Sequence, residues 1–181
     1  MDSTLLRAFH QQLQFQSECA LIAVRQLEDS LASGNTTATF AALQNFITAA
    51  TNASRLLWGR PNAPGLPKGR RELREGIDVG ADSALKEIRM DPQFELLDER
   101  VDRWFAESPS HDVCDLHIGP SAALVEVAEI DQFRSFDPVT WQFTLCGQTF
   151  DMRAMVGELE RLLPVLKAAL TTEPASCESS E

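Results

Sequence analysis

The chain predicts an α+β protein, with an N-terminal antiparallel helical bundle followed by a small antiparallel β-hairpin or sheet and a C-terminal helix. Three observations carry this. Apolar residues recur at alternating spacings of three and four up to Trp58, the period of amphipathic helices. Between Trp141 and Met152 apolar and polar residues alternate on either side of Cys146-Gly147, the pattern of a hairpin. Helical spacing then returns from Met155 to Leu170. The expected organisation is a bundle over 1–107, a small sheet plus C-terminal helix packed on it over 108–170, and a disordered polar tail over 171–181.

In chain order, Asp2 or Ser3 can cap a first helix from Thr4 to Ala32, and Gly34 can end it in the left-handed region. Leu6, Phe9, Leu13, Ala20, Val24, Leu27 and Leu31 form its stripe, which Gln16 interrupts. Asn35, Thr36 or Thr37 caps a second helix to Trp58, with Phe40, Leu43, Ile47, Ala50 and Leu57 on one face and Ser54 between. Its alanines allow close approach to the first helix, so the two should pack antiparallel.

Prolines 61, 64 and 67 make 59–69 a loop, and Arg70-Arg71-Glu72-Leu73-Arg74 follows. Asp82 or Ser83 starts a short helix bearing Leu85 and Ile88. Asp91-Pro92 opens another, with Phe94, Leu97, Val101 and Trp104 as its stripe to about Glu107. Alternation predicts a strand over Cys114–Ile118, whereas 122–130 reads equally as strand or helix. The hairpin should set Phe143 opposite Phe150 and Trp141 opposite Met152. Asp151 caps a last helix carrying Met155, Val156, Leu159, Leu163, Leu166 and Leu170. Pro164 should kink or shorten it, since an interior proline costs about 3 kcal/mol.

Composition narrows function. Sixteen Lys and Arg against 27 Asp and Glu give a net charge of −11 over 181 residues. That argues against broad phosphate-backbone binding, which needs clustered cations. Four scattered cysteines with no CxxC pair, and no basic or apolar leader after Met1, predict reduced thiols and a cytoplasmic location. No apolar run approaches the roughly 20 residues that cross a bilayer, so no membrane association is expected.

Three clusters are candidates for chemistry. Arg60, Lys68, Arg70, Arg71 and Arg74 are the one basic group, with Arg70, Arg71 and Arg74 the candidate binding residues. The favoured partner is the chain's own 105–131 segment, which holds six acids and no Lys or Arg. RNA or a nucleotide is the alternative. His111, Cys114, Asp115 and His117 are of metal-ligating types, and a metal-dependent hydrolase is one reading of them. The plainer reading is a solvated strand face, so no metal and no cofactor is expected. No glycine-rich phosphate loop or GxSxG elbow occurs. The tryptophans lie on or beside apolar stripes and read as core anchors.

The third cluster is Ile88 to Trp104, which follows the long hairpin ending Ser54-Arg55-Leu56-Leu57-Trp58. With Arg89 and Phe94-Glu95-Leu96-Leu97-Asp98-Glu99-Arg100, the first 105 residues or so resemble the HEPN superfamily, helical bundles that include RNases of toxin–antitoxin and defence systems. The resemblance implies a homodimer and an arginine that steadies a scissile phosphate, here Arg89. It also implies, after four to six intervening residues, a histidine that moves the proton of a ribose hydroxyl. That histidine falls on Leu96, which transfers no proton. Glu95 is the nearest base, but a carboxylate repels the phosphate it must approach. Arg89 and Glu95 are thus catalytic candidates without a commitment to catalysis. The expected function is a non-catalytic, HEPN-like interaction or regulatory module with a protein partner, of a bacterial stress or defence locus. The alternative is an RNase with a displaced catalytic residue. As a plain surface helix, the same stretch carries an opposite-charge Glu99–Arg103 pair worth a few tenths of a kcal/mol.

Overall fold

The computed structural model describes residues 1–59, 70–86, 88 and 97–172. Helix α1 spans Ser3–Ala32 and α2 Thr36–Trp58. The Asp2 carboxylate accepts from the amides of Thr4 (2.9 Å) and Leu5 (3.2 Å), satisfying donors that a helix start leaves unpaired. At the other end Gly34 sits at φ 67°. Its amide bonds the Leu31 carbonyl at 3.1 Å and the Asn35 amide bonds that of Ser30 at 3.0 Å, a Schellman closure. Asn35 then accepts from the Ala38 amide at 3.0 Å and starts α2.

Leu13, Ala20, Val24 and Leu27 of α1 are buried against Leu43, Phe46, Ile47, Ala50 and Leu57 of α2. Gln16, which breaks the apolar stripe, receives a hydrogen bond from Asn52 across the hairpin at 3.3 Å. The buried face of α1 also differs from the expected stripe, since His10, Ser17 and Ser30 lie on it while Leu6, Phe9 and Leu31 are half-buried. Ser17 and Ser30 are tolerated there because their hydroxyls donate to the Leu13 and Leu27 carbonyls.

Helix α3 (Arg70–Gly76) is an element the sequence reading leaves unassigned, seated by buried Leu73 and followed by buried Ile77. The expected short helix at Ser83 is one 3-10 turn, Ala84–Lys86, with Leu85 and Ile88 buried as anticipated. Helix α4 is Leu97–Glu107. Its anticipated start at Asp91-Pro92 lies outside the described residues. Its stripe is rotated from expectation, because Val101 is exposed while Arg100 is buried with its guanidinium 5.8 Å from the Phe133 ring centroid. The helix lies against 129–133 rather than in the bundle, so a cation–aromatic contact replaces an aliphatic one.

The sheet runs in the order β1 (His117–Ile118), β2 (Arg134–Asp137), β3 (Gln142–Leu145) and β4 (Gln148–Asp151). Its first pair is parallel and the others antiparallel. The hairpin register is the expected one, with Phe143 opposite Phe150 and their rings stacked at 6.4 Å. Cys146 and Gly147 both have positive φ, as a two-residue hairpin turn requires. Phe143 also meets Phe40 of α2 at 6.5 Å, joining the sheet to the helical core.

The predicted Cys114–Ile118 strand is corrected. Leu116 stands at φ 57° and breaks the alternation, leaving a lone bridge at Cys114 and the two-residue β1. The ambiguous 122–130 segment resolves into 3-10 turns at Ser121–Leu124 and Glu129–Asp131.

Helix α5 (Met152–Thr172) follows β4 directly, with the Asp151 carboxylate accepting from the Ala154 amide at 2.9 Å. It passes through Pro164 without shortening and includes Thr171 and Thr172, which the sequence reading places in the tail. Pro164 and Glu160, whose carbonyl loses its partner, are both exposed, so water can satisfy that carbonyl. Leu162 rather than Leu163 is fully buried on α5, beside Met155, Leu159 and Leu166. No described helix is long and apolar enough to cross a membrane.

Candidate functional site

Among the described residues, Arg70, Arg71 and Arg74 of the basic cluster pair elsewhere than with the acidic segment. Arg70 and Arg74 of α3 turn to the C-terminal end of α2, where Arg70 donates to the Leu56 carbonyl and Arg74 to that of Leu57 at 2.7 Å. Helix C-termini leave their last carbonyls unpaired and carry partial negative charge, so two guanidiniums there act as a cap. Arg70 also lies 4.0 Å over the Phe9 ring and Arg74 5.7 Å from that of Trp58. Burial lowers the Arg70 pKa, though a guanidinium stays charged. Arg71 is exposed and pairs with Glu75 at 2.7 Å, while Glu72 pairs with the N-terminal ammonium. For Arg70, Arg71 and Arg74 the expected pairing with 105–131 is therefore replaced by these partners. Arg60, Lys68, Arg89, Glu95 and Leu96 lie outside the described residues.

Helix α4 and the loop after it converge on Asp131, which is 2% exposed. One carboxylate oxygen accepts from the Trp104 indole at 2.9 Å and the Ser108 hydroxyl at 2.5 Å, and the other from the Ser110 hydroxyl at 2.7 Å. The Ser108 and Ser110 bonds, with the indole and the nearby His111 charge, hold the Asp131 pKa below the ordinary carboxylate range against the opposing effect of burial. Its backbone carbonyl takes the Cys114 amide at 2.8 Å. His111 stacks on Phe105 at 4.8 Å and its Nε2 donates to the Phe105 carbonyl at 2.9 Å. Serine, histidine and aspartate are thus neighbours, but the imidazole is bonded to the Phe105 carbonyl and not to a serine hydroxyl, and the carboxylate already accepts three hydrogen bonds. The group is a structural knot. Its sequence signal is Trp104 followed by Ser108-Pro109-Ser110-His111 just past a helix end, a pattern without metal-ligand spacing.

Asp115 pairs with Arg134 in a two-point contact, Nε to Oδ1 at 2.8 Å and Nη2 to Oδ2. The bond to Asp115 raises the Arg134 pKa. His117 is held in β1 opposite Ser135, and its Nε2 is buried without a hydrogen-bond partner among the described residues. A Cβ on Gly119 would come within 3.0 Å of that nitrogen, so the ring packs directly on the glycine. His111, Cys114, Asp115 and His117 are thus drawn to different partners. Among the described residues no three His, Cys, Asp or Glu side chains are grouped to hold a metal ion. Burial pushes the Cys114 thiol up, as do Asp115 and Asp112. Burial also raises Cys146, outweighing the pull of Arg100 and Arg134. Both thiols stay protonated at neutral pH and are poor nucleophiles.

Cys114, Asp115, His117 and Asp131 border a cleft of about 770 Å³ between the loop 109–118 and the turns 126–131. Val113, Ile118 and Val127 supply apolar lining, and Asp112, Asp115, Glu126 and Asp131 the acid, with no Lys or Arg among the lining residues. Because Asp115 is paired with Arg134 and Asp131 is buried under three hydrogen bonds, Asp112 and Glu126, both exposed, are the carboxylates open to a partner. The arrangement defines an α+β protein with a long helical hairpin and an acid-lined cleft. Comparison with models of protein families, with curated proteins and with solved structures finds no match to this chain.

Proposed function

We propose that the protein is a non-catalytic, HEPN-like interaction module whose acid-lined cleft receives a Lys- or Arg-rich segment of a partner protein. The observation that supports it is the cleft, whose lining joins Asp112 and Glu126 with Val113, Ile118 and Val127 and holds no Lys or Arg among the described residues. The placement of Arg70 and Arg74 points the same way, since both are engaged with the end of α2 and not turned to a phosphate-binding surface. The antiparallel hairpin ending at Trp58 accords with the HEPN resemblance. On this reading the protein is cytoplasmic, self-associates through the hairpin as a homodimer, and serves a bacterial stress or defence locus.

The test is calorimetric titration of the full chain with a Lys/Arg-rich peptide and a neutral peptide of equal length. Binding of the basic peptide alone is expected, weakening with added salt as exposed charges are screened. Asp112→Asn with Glu126→Gln should weaken it several-fold. Equal binding by this double variant, or none at low salt, overturns the proposal. RNA cleavage by the full chain that disappears in Arg89→Ala would establish the nuclease instead.

A further inference from the structure

A second groove lies between α1, α5 and the turn before β3, and it carries a different arrangement of charge. Its volume is about 290 Å³, and Leu21, Val24, Val156 and Trp141 form its apolar part. Arg25 and Glu28 border it from α1, and Arg153 and Glu160 from α5. Among the described residues none of these four charges is in an ion pair, and the one hydrogen bond in the set is a long one of 3.4 Å from Arg153 to the Val139 carbonyl. Oppositely charged side chains thus border one small groove without neutralising each other.

Trp141 is the second independent sign. Its backbone is left-handed, at φ 59°, where glycine or asparagine would sit without strain. The turn is nonetheless closed by the Trp141 amide on the Asp137 carbonyl at 2.8 Å and by the Met152 amide on the Trp141 carbonyl at 3.1 Å. The indole meets Phe136 edge-on at 6.2 Å and also lines the groove. Strained positions of this kind concentrate at ligand sites.

We propose that this groove binds a small zwitterion with an apolar side chain, of the class of free apolar α-amino acids. Two cations and two anions cancel, so a ligand of net charge gains from one pair and is repelled by the other. A dipolar ligand gains from both. Its carboxylate would be taken by the arginines, with the planar fork suited to that group, and its ammonium by the glutamates. Its side chain would cover Val24, Val156 and the indole.

The experiment is calorimetry on the full chain with three probes: L-phenylalanine, 3-phenylpropanoate (which lacks the ammonium) and phenethylamine (which lacks the carboxylate). Saturable binding of L-phenylalanine is expected, with each truncated probe about tenfold weaker, as loss of one charge-assisted hydrogen bond implies. Arg25→Gln with Arg153→Gln should abolish the preference over phenethylamine, and Glu28→Gln with Glu160→Gln that over 3-phenylpropanoate. These residues are exposed, and circular dichroism checks that each variant keeps its fold. The proposal is overturned if L-phenylalanine and L-leucine both fail to bind at millimolar concentration, or if the charge variants bind all three probes as the parent does. The acid-lined cleft is on other residues, so this outcome and that of the basic peptide are independent.

Discussion

The α1–α2 hairpin and the segment 98–137 are held together by opposite chemistry. The hairpin's centre is hydrocarbon, with Leu27, Leu43, Phe46, Ile47 and Ala50 fully buried, while Ser17 bonds within α1 and Gln16 and Asn52 bond across the helices. The later segment has short elements, three left-handed non-glycine residues before its end or just after (His111, Leu116 and Trp141), and carboxylates as its organising centres. Asp131 collects three side-chain donors, Asp115 clasps Arg134, and Asp137 accepts from the amides of Val139 and Thr140. One region is thus stabilised by area removed from water, the other by a few buried side chains such as Phe136 together with charge in fixed positions. They should fail under different stresses.

The largest effect should come from Phe46→Ala, which empties a fully buried site at the centre of the hairpin. A loss of about 3–5 kcal/mol is expected, read as a lower denaturant midpoint at all pH values. A fall below 1 kcal/mol would mean that the hairpin is not the stabilising core.

Acid should separate the two regions. The Asp131 hydrogen bonds hold its carboxyl below the ordinary range. At Asp137 burial pushes upward, but the amides of Val139, Thr140 and Ser121 outweigh it and the net shift is also downward. A carboxyl with a lowered folded pKa stabilises fully above its unfolded value, about 3.9, and the contribution is lost as pH falls through the lower folded value. In a chain with Trp58→Phe and Trp141→Phe, Trp104 fluorescence should therefore change below about pH 4 while far-UV helicity persists. Asp131→Asn should remove most of that acid transition. Simultaneous loss of both signals would contradict the separation.

The smallest effect concerns the junction of α1 and α2. Asn35→Ala removes the cap on the Ala38 amide and should cost about 1 kcal/mol in thermal or denaturant unfolding, with the acid transition of Trp104 unmoved.

The same contrast governs how much was legible beforehand. Both long helices, their caps at Asp2 and Asn35, the Gly34 stop and the β-hairpin register follow from local pattern. Strand β2 was not legible, because Arg134-Ser135-Phe136-Asp137 lacks β-branched residues and is a strand only by lying between β1 and β3. The Cys114–Ile118 alternation misled because one left-handed residue, Leu116, reverses it, and periodicity does not register a single φ. The candidate site was legible as composition alone. The acid block was plain, but the Ser108–Asp131 knot joins residues far apart in the chain.

By itself the amino-acid order determined the α+β class, the helical hairpin and the β-hairpin, since these follow from spacing, caps and turn residues within a few positions of one another. Tertiary structure alone decided where charge went. The Arg70 and Arg74 guanidiniums face the end of α2 and not the acidic segment, because unpaired carbonyls at a helix terminus lie within their reach once α3 packs there. Electrostatic partners are chosen by distance in space, and a one-dimensional pattern of charges does not contain that distance.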